Sequence, residues 1–376
     1  MSHITTLGLF IAPQADLSFQ NIKIFKHQET DIEVDWKISA VCNSERRRFN
    51  LTKSHHDRQA FVGGHEAVGV MPLSGGNQAC FVLLPHSNCV TRNELDKCPA
   101  CLNNSENLCS RMRHAGLDEN TPSGFTHKMI VPESQLYEVT NIDVHFAVFL
   151  EPLACVIHSW DKVSFDYKTG KNVINIIGGG PIGCLHALLL NKVNSQNRIN
   201  IFENNVKRLN TLKTIFAAYK NISIHNNYID ELADVSVMAA SNSSAYECSC
   251  NLTKENGSVL LFSGFDDIDF QDDNFLPEII HRHEFIHYAK NRIFIGSSGY
   301  KREDIKRSEK FLTDFKELKS LITGKVYGLD SSEIELPDGT KCSYNQPVLI
   351  EDIKGRLYEH IKIQYYNNSN PITESF

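Results

Sequence analysis

A glycine-rich turn between a predicted strand and a predicted helix constrains the fold more than any other feature. Residues 173–177 are an apolar run typical of a buried strand, and residues 184–190 are helix-like. The sequence GGGPIG at 178–183 fits G-x-G-x-x-G in the strand–turn–helix context that this motif requires. Further alternation of strand-like and helix-like segments predicts a Rossmann fold, a doubly wound parallel sheet that binds a dinucleotide. A glycine turn without a cofactor is the alternative.

A carboxylate follows the second predicted strand, residues 198–202. At this position Glu203 can accept hydrogen bonds from the adenosine ribose and would repel a 2′-phosphate, which favours NAD(H) over NADP(H). Lys207 and Arg208 follow closely and weaken this preference. The residues predicted to bind the cofactor are Gly178, Gly180, Pro181, Ile182, Gly183, Glu203 and Arg208.

The two ends of the chain have a different pattern. The first part contains short strand-like runs bounded by proline or glycine, such as residues 81–85 and 128–132, with little helical periodicity. A helix is predicted over residues 305–318, after which turn-rich, strand-like sequence returns. We therefore predict a β-barrel-like domain of residues 1–157 and 320–376, split around a Rossmann domain of residues 158–319.

Four residues of the first part are of the types that bind zinc, namely Cys42, His65, Glu66 and Glu151. A zinc ion that does chemistry takes three protein ligands from cysteine, histidine and carboxylate, and keeps one position open. These residues can supply that set. Taken singly, Cys42 could instead be a core residue and Glu151 could cap a helix.

Four further cysteines lie in one loop-like segment. Cys98 and Cys101 have the spacing of a zinc knuckle, and with Cys89 and Cys109 they can enclose a structural zinc ion. A polar insertion at residues 91–97 separates the first cysteine from the others. The alternative is a set of reduced free thiols in a site that has lost its metal.

Charge and composition argue against several classes of partner. The formal net charge of -7 disfavours binding to nucleic acid or to an anionic membrane. The apolar segment at residues 7–13 is short and lacks the flanks of a signal peptide, so we expect neither a leader nor a membrane span. Reduced cysteines and a cytoplasmic location follow as expectations.

The chain resembles the zinc-dependent medium-chain dehydrogenase/reductase superfamily in the identity and order of its motifs. These are Cys42, the His65-Glu66 pair, the four cysteines, Glu151 and the glycine turn. This superfamily includes alcohol, sorbitol and threonine dehydrogenases. The resemblance covers nearly the whole chain and implies a GroES-like catalytic domain split around the Rossmann domain, with the active site between them. It places a catalytic zinc ion on Cys42 and His65, and leaves open whether Glu66 or Glu151 is the third direct ligand.

The resemblance also implies roles for three neighbours of Cys42. Ser44 matches a hydroxyl that takes the proton of the substrate, and Glu45 matches an acid that orients the His65 ring. Arg47 stands where the superfamily often has the histidine that ends the proton relay, so the route of the proton is open. The implied reaction is hydride transfer between NAD(H) and a small alcohol or carbonyl compound, in a homo-dimer or homo-tetramer.

The substrate depends on the run Arg46-Arg47-Arg48, which could hold a phosphate or carboxylate. Its context looks like that of bacterial ribulose-5-phosphate reductases. The alternative is a solvated basic surface, because a polyol or sugar alcohol needs no arginine cluster. Two other functions compete: a metal-free enone or quinone reductase of the same fold, and a non-catalytic protein that binds NAD and zinc.

Overall fold

The computed structural model describes residues 2–12, 17–26, 28–50, 60–72, 78–118, 121–140, 142–164, 166–227, 229, 231–264, 284–313 and 316–367. The chain divides into two compact units. Unit 1 comprises Met1–Glu151, Lys301–Leu357 and Lys362–Phe376, and unit 2 comprises Pro152–Tyr300 and Tyr358–Ile361.

The divisions at residues 151/152 and 300/301 differ from those expected at 157/158 and 319/320. Side-chain contacts explain the second difference. Ser308 donates a hydrogen bond to the carbonyl of Leu150 (2.8 Å), and Tyr137 donates one to Glu309 (2.5 Å). These bonds connect the helix that contains Ser308 and Glu309 to unit 1.

The strands are, in chain order, β1 (His3–Ile11), β2 (Leu17–Phe25), β3 (Asp31–Ala40), β4 (Glu66–Pro72), β5 (Gln78–Leu83), β6 (His86–Ser87), β7 (Arg113–His114), β8 (Lys128–Pro132), β9 (Leu136–Val139), β10 (Val173–Ile177), β11 (Arg198–Phe202), β12 (Ile222–His225), β13 (Ala233–Met238), β14 (Thr253–Leu261), β15 (Phe285–Ala289), β16 (Arg292–Gly296), β17 (Ile322–Tyr327), β18 (Glu333–Glu335), β19 (Lys341–Ser343) and β20 (Lys362–Tyr366).

The α-helices are α1 (Asn43–Phe49), α2 (Pro99–Leu102), α3 (Val144–Ala147), α4 (Leu150–Trp160), α5 (Pro181–Val193), α6 (Val206–Ile215), α7 (Ser243–Asn251), α8 (Arg302–Thr313) and α9 (Val348–Ile353). Among the residues described, none of these helices is long and apolar enough to cross a bilayer.

Unit 1 is built on a nine-stranded sheet in the order β19-β18-β17-β20-β3-β4-β5-β9, with β8 also paired to β3. All of these pairings are antiparallel except that of β17 with β20. Apolar side chains from both ends of the sequence, including Leu9, Phe125 and Tyr365, share one buried core. The pairing of β20 with β3 therefore brings Lys362–Tyr366 beside the strand that precedes the Cys42 segment.

Unit 2 contains a seven-stranded sheet in the order β12-β11-β10-β13-β14-β16-β15. Six strands are parallel, and β15 pairs antiparallel with β16 at one edge. All five residues of β10 are buried, as expected of a parallel strand covered on both faces. Without β15, this is the Rossmann strand order 3-2-1-4-5-6.

Three helices of unit 1, α1, α2 and α9, were not expected from the sequence. Helix α1 has seven residues and α2 has four, so neither is long enough to show amphipathic periodicity. The helix expected over residues 305–318 is α8, which ends at Thr313 and is followed by a 3-10 helix at Lys316–Leu321.

Candidate functional site

The N-terminus of α1 fixes the backbone around Cys42. Strand β3 ends at Ala40, and Cys42 is the N-cap residue of the helix in an extended conformation. Its backbone N–H donates to Oε2 of Glu45 (2.7 Å). Because an N-terminal N–H has no partner within the helix, this bond stabilises the turn that presents the Cys42 side chain.

Glu45 connects α1 to the loop before β4. Its fully buried carboxylate accepts N–H bonds from Gly64 (2.9 Å) and His65 (3.3 Å) through Oε1. The same oxygen lies 2.7 Å from Nδ1 of His65, close enough for an ion pair although the groups are not aligned as a hydrogen bond. Burial alone would raise the pKa of Glu45, but His65 and the backbone N–H donors hold it below its ordinary value.

The structure brings Cys42, Glu45 and His65 together, with one ligand atom of each lying within 4.8 Å of the others. Ser44 joins this group, because its Oγ lies 3.5 Å from Nε2 of His65. Burial opposes protonation of His65, but Glu45 and Cys42 hold its pKa well above the ordinary value. A thiol and an imidazole whose Nδ1 faces a carboxylate are a donor set that fits zinc.

Glu66 lies next to His65 in sequence but forms a different contact. Its Oε2 accepts a hydrogen bond from Nζ of Lys362 on β20, and both side chains are almost completely buried. Among the described residues, neither Glu66 nor Glu151 lies within the cluster of Cys42, Glu45 and His65. Glu151 is buried in the first turn of α4. The identity of a third metal ligand stays a prediction.

The four cysteines of the loop segment form a second cluster. Their sulfur atoms lie within 4.8 Å of one another, and all four residues are buried. Sγ of Cys109 lies 3.5 Å from Sγ of Cys89 and 3.7 Å from Sγ of Cys98. The backbone N–H of Cys101 lowers the pKa of Cys98 to about 5, against the effect of burial. A buried set of four thiols fits a closed zinc site.

The insertion between the first two cysteines folds into a compact turn. The N–H of Glu94 donates to the carbonyl of Cys89 (3.0 Å). Arg92 binds the carboxylate of Glu94 (2.7 Å) and the carbonyls of Ser87 and Arg111. Because the turn closes on itself, the extra residues do not separate Cys89 from the other three thiols.

In unit 2, the glycine turn leaves the carboxyl end of β10 and leads into α5. Gly178 has φ +114°, a region that L side chains rarely adopt. A Cβ at Gly183 would lie 2.0 Å from the carbonyl oxygen of Gly178, so the helix packs too closely for any other residue. A Cβ at Gly180, the N-cap of α5, would meet only Nη1 of Arg208, at 3.9 Å. The turn thus leaves open space at the N-terminus of α5, where helix N–H groups can bind a phosphate.

Glu203 lies beside this turn at the end of β11. Its Oε2 accepts hydrogen bonds from the N–H of Gly179 (3.1 Å) and from Nη1 of Arg208 (3.0 Å), and Oε1 accepts the N–H of Asn205 (2.8 Å). Nε of Arg208 donates to the carbonyl of Tyr358 (2.6 Å). The carboxylate is therefore held at the turn, and Arg208 balances its charge.

No family model matches this chain. D-arabinitol dehydrogenase 1 of Uromyces fabae is 24% identical over 216 residues, which cover 54% of this chain and 60% of that protein. D-altritol 5-dehydrogenase of Agrobacterium fabrum is 25% identical over 241 residues, covering 60% and 67%. Among solved structures, a zinc-binding dehydrogenase from Sinorhizobium meliloti 1021, bound to NADP, has a similar fold, with a TM-score of 0.70. The match covers 96% of this chain and 99% of that protein's chain at 18% sequence identity.

This chain is similar in sequence to zinc-type alcohol and polyol dehydrogenases, and it has the fold of the zinc-binding dehydrogenase structure. The resemblance inferred from the motifs is confirmed, and so is the fold class of a GroES-like domain with a Rossmann domain. The chain spans about 60% of the length of the arabinitol dehydrogenase. The names of these relatives do not favour a metal-free reductase or a non-catalytic protein.

The three consecutive arginines of this chain have different surroundings. Nη2 of Arg46 lies 2.5 Å from Oδ1 of Asp352, whose Oδ2 accepts a bond from Tyr365 (2.8 Å). Nη1 of Arg48 lies 3.9 Å from Oδ1 of Asp118. Arg47 is half-buried on α1. The run is therefore not a continuous basic surface, since Arg46 and Arg48 each face a carboxylate.

Sequence reasoning missed Lys362, Asp352 and Asp118 as neighbours of the site. One local signal existed for Lys362, because a lysine occupies a strand-like run near the end of the chain. Lys362 and Gln364 alternate with Ile363 and Tyr365, and all of these side chains are buried. A lysine in a buried strand requires a partner, which predicts a carboxylate nearby but does not identify it.

Proposed function

We propose that this protein is a zinc-dependent oxidoreductase that transfers a hydride between a nicotinamide dinucleotide and a polyol-class alcohol or the corresponding carbonyl compound. The observation that carries the proposal is the cluster of Cys42, Glu45 and His65 with the Ser44 hydroxyl 3.5 Å from the imidazole. The names of the sequence relatives support this substrate class.

In this proposal Cys42 and His65 hold the catalytic metal, with Glu66 or Glu151 as a further ligand. When bound, zinc would supply a Lewis acid beside the alcohol oxygen. Glu45 faces Nδ1 of His65 (2.7 Å), which leaves Nε2 for the metal and fixes the orientation of the ring. Cys89, Cys98, Cys101 and Cys109 would hold a second, structural ion.

Ser44 is the proposed acceptor of the substrate proton. Its hydroxyl can take a proton while passing its own onward, which is the role of a relay group. Its position on the first turn of α1, beside His65, supports this role. Arg47 is on the same helix, and we retain it as a candidate for the outer part of the relay.

For the cofactor, we propose that the turn at Gly178, Gly180 and Gly183 binds the pyrophosphate, with Pro181 and Ile182 starting the helix behind it. NAD(H) is the proposed preference, because the buried Glu203 carboxylate lies at the end of the second strand. Glu203→Ala should weaken NAD binding and reduce discrimination against NADP. An unchanged ratio of the two dissociation constants, measured by fluorescence titration, would contradict this assignment.

The test of the function is turnover. Purified protein with bound zinc should reduce NAD or NADP in the presence of a polyol, and Ser44→Ala should lower kcat by about 10²–10⁴-fold, as expected for loss of a general acid–base group. Ser343→Ala, at an exposed position on β19, is the matched control and should retain activity. If zinc and cofactor bind but no polyol or other alcohol is oxidised, the proposed function is wrong.

A cytoplasmic location and assembly into homo-dimers or homo-tetramers stay predictions. Size-exclusion chromatography coupled to light scattering measures the assembly directly.

A further inference from the structure

We propose that the substrate side of the candidate metal centre accepts a neutral polyhydric alcohol, and that Asp118 rejects the phosphorylated or carboxylated form of such a compound. This inference rests on the proposed function and narrows its substrate class. It concerns a set of four side chains in unit 1, namely Arg48, His86, His114 and Asp118, which we term the polar wall.

One member of the polar wall, Arg48, lies on α1, the helix that follows Cys42. Ser44 and Arg48 are four residues apart on α1, so their side chains share one face of the helix. The Ser44 hydroxyl is directed to His65 at 3.5 Å. Arg48 therefore lies on the same side of α1 as the Ser44 hydroxyl that approaches the His65 imidazole.

The loop that contains Asp118 packs against the same histidine. Gly116 lies so close to this segment that a Cβ there would be 3.2 Å from the backbone nitrogen of His65. Ser123 donates a hydrogen bond to the carbonyl of Gly64 (3.0 Å). Gly116 and Ser123 thus lie next to His65, the predicted metal ligand, and its neighbour Gly64.

The charge of Arg48 is already matched. Its Nη1 lies 3.9 Å from Oδ1 of Asp118, and its guanidinium carbon lies 4.7 Å over the ring of Phe61. The Arg48 side chain is 9% exposed and that of Asp118 is 34% exposed. A ligand that approaches this pair meets the carboxylate more readily than the guanidinium. A phosphate would be repelled there, whereas a hydroxyl could donate to the carboxylate.

The two histidines of the polar wall add hydrogen-bonding groups. The rings of His86 and His114 lie edge to face with centroids 5.1 Å apart. Oδ2 of Asp118 accepts the backbone N–H of His114 (2.5 Å) and lies 3.8 Å from its Nδ1. His86 is half-buried beside the His114 ring. A neutral imidazole both donates and accepts, as do sugar hydroxyls.

Arg46 does not supply an anion site either. Its Nε donates to the carbonyl of Asp352 (3.0 Å), and Nη2 contacts the Asp352 carboxylate (2.5 Å). Asp352 is buried and also accepts a bond from Tyr365. Two of the three consecutive arginines therefore have their charge balanced by aspartates, which disfavours a dianionic phosphate.

The test compares neutral pentitols and hexitols with their terminal phosphates and with an aldonate, using the zinc-loaded protein and saturating cofactor. The wild type should favour the neutral compounds in kcat/KM by at least about tenfold, the scale of discrimination by a single pocket contact. Asp118→Asn, which keeps the shape and removes the charge, should raise the ratio of phosphate to neutral kcat/KM by at least about tenfold. Asp338→Asn, in an exposed turn, should leave this ratio unchanged.

A wild type that prefers the phosphates, or an Asp118→Asn variant with an unchanged ratio, would overturn this inference and leave the proposed function intact. Absence of turnover with every compound would refute the proposed function and this inference with it.

Discussion

Cys89, Cys98, Cys101 and Cys109 form a cluster of four buried thiols, whereas Cys42 is half-buried and shares its cluster with a carboxylate and an imidazole. Four thiols can fill every position of a tetrahedral zinc site and leave none open for a substrate. The Cys42 cluster offers fewer direct ligands and has a hydroxyl beside it, at Ser44. Under the proposed function, the four thiols would form a closed site that stabilises the fold, and the Cys42 cluster would form the open site of the reaction.

The largest effects expected from this comparison come from replacing one cysteine in each cluster. Cys42→Ser should lower kcat/KM by about 10⁴-fold or more, as removal of a central catalytic group does. It should also release one zinc ion per chain while the protein stays folded. Cys98→Ser should instead release the other ion and lower the unfolding temperature, because a structural metal contributes to folding free energy. Activity assays, metal analysis and thermal unfolding separate the two outcomes.

Cys342→Ser is the matched control, since Cys342 is also half-buried in unit 1 but lies outside both clusters among the described residues. It should change neither activity nor zinc content. If Cys42→Ser and Cys98→Ser had the same effects on activity and on stability, the distinction between an open and a closed site would be wrong.

The next effect concerns the buried ion pair of Glu66, the neighbour of His65 in sequence, with Lys362. Lys362→Met leaves the Glu66 carboxylate buried without its partner, and should lower the free energy of unfolding by about 3–5 kcal/mol. Lys362→Arg keeps the charge and should lower it less. Urea titration measures both. Adding Glu66→Gln to Lys362→Met should restore most of the stability, and a double variant as unstable as the single one would contradict the ion-pair account.

The smallest effect concerns Glu45, the carboxylate that orients the predicted metal ligand His65. Glu45→Gln keeps the size of the side chain but removes the charge facing Nδ1 of His65 (2.7 Å). It should weaken zinc binding at the Cys42 cluster by about 10–100-fold, as changes next to a ligating histidine do. Competition with a chromogenic chelator should show no change at the four cysteines. An equal loss at both sites would mean that Glu45 supports the fold generally.

Features encoded locally were predictable from the sequence. The strand, glycine turn and helix over residues 173–193 are present as expected, because a buried strand and a close helix packing both need their residues in a short segment. The grouping of Cys98 with Cys101 follows likewise from their spacing. Helix α1 escaped prediction because its seven residues are held by Glu45 rather than by an amphipathic pattern.

Features that depend on distant strand pairing were not predictable. Glu66 and Lys362 are 296 positions apart and meet because β20 pairs with β3, which pairs with β4. Arg46 and Asp352 are 306 positions apart and meet through α1 and α9. The sequence shows the charges of these residues, but it does not show which opposite charge each one faces.

The most direct test of the central claim is a timed removal of zinc. A chelator is added to the native protein, and zinc release and dehydrogenase activity are followed in the same sample. We expect two zinc ions per chain, with activity lost as the first ion leaves while the second stays bound. Added Zn²⁺ should restore the activity. Activity that persists after the first ion has left, or that is lost only when the second leaves, would contradict the assignment of catalysis to the Cys42 cluster.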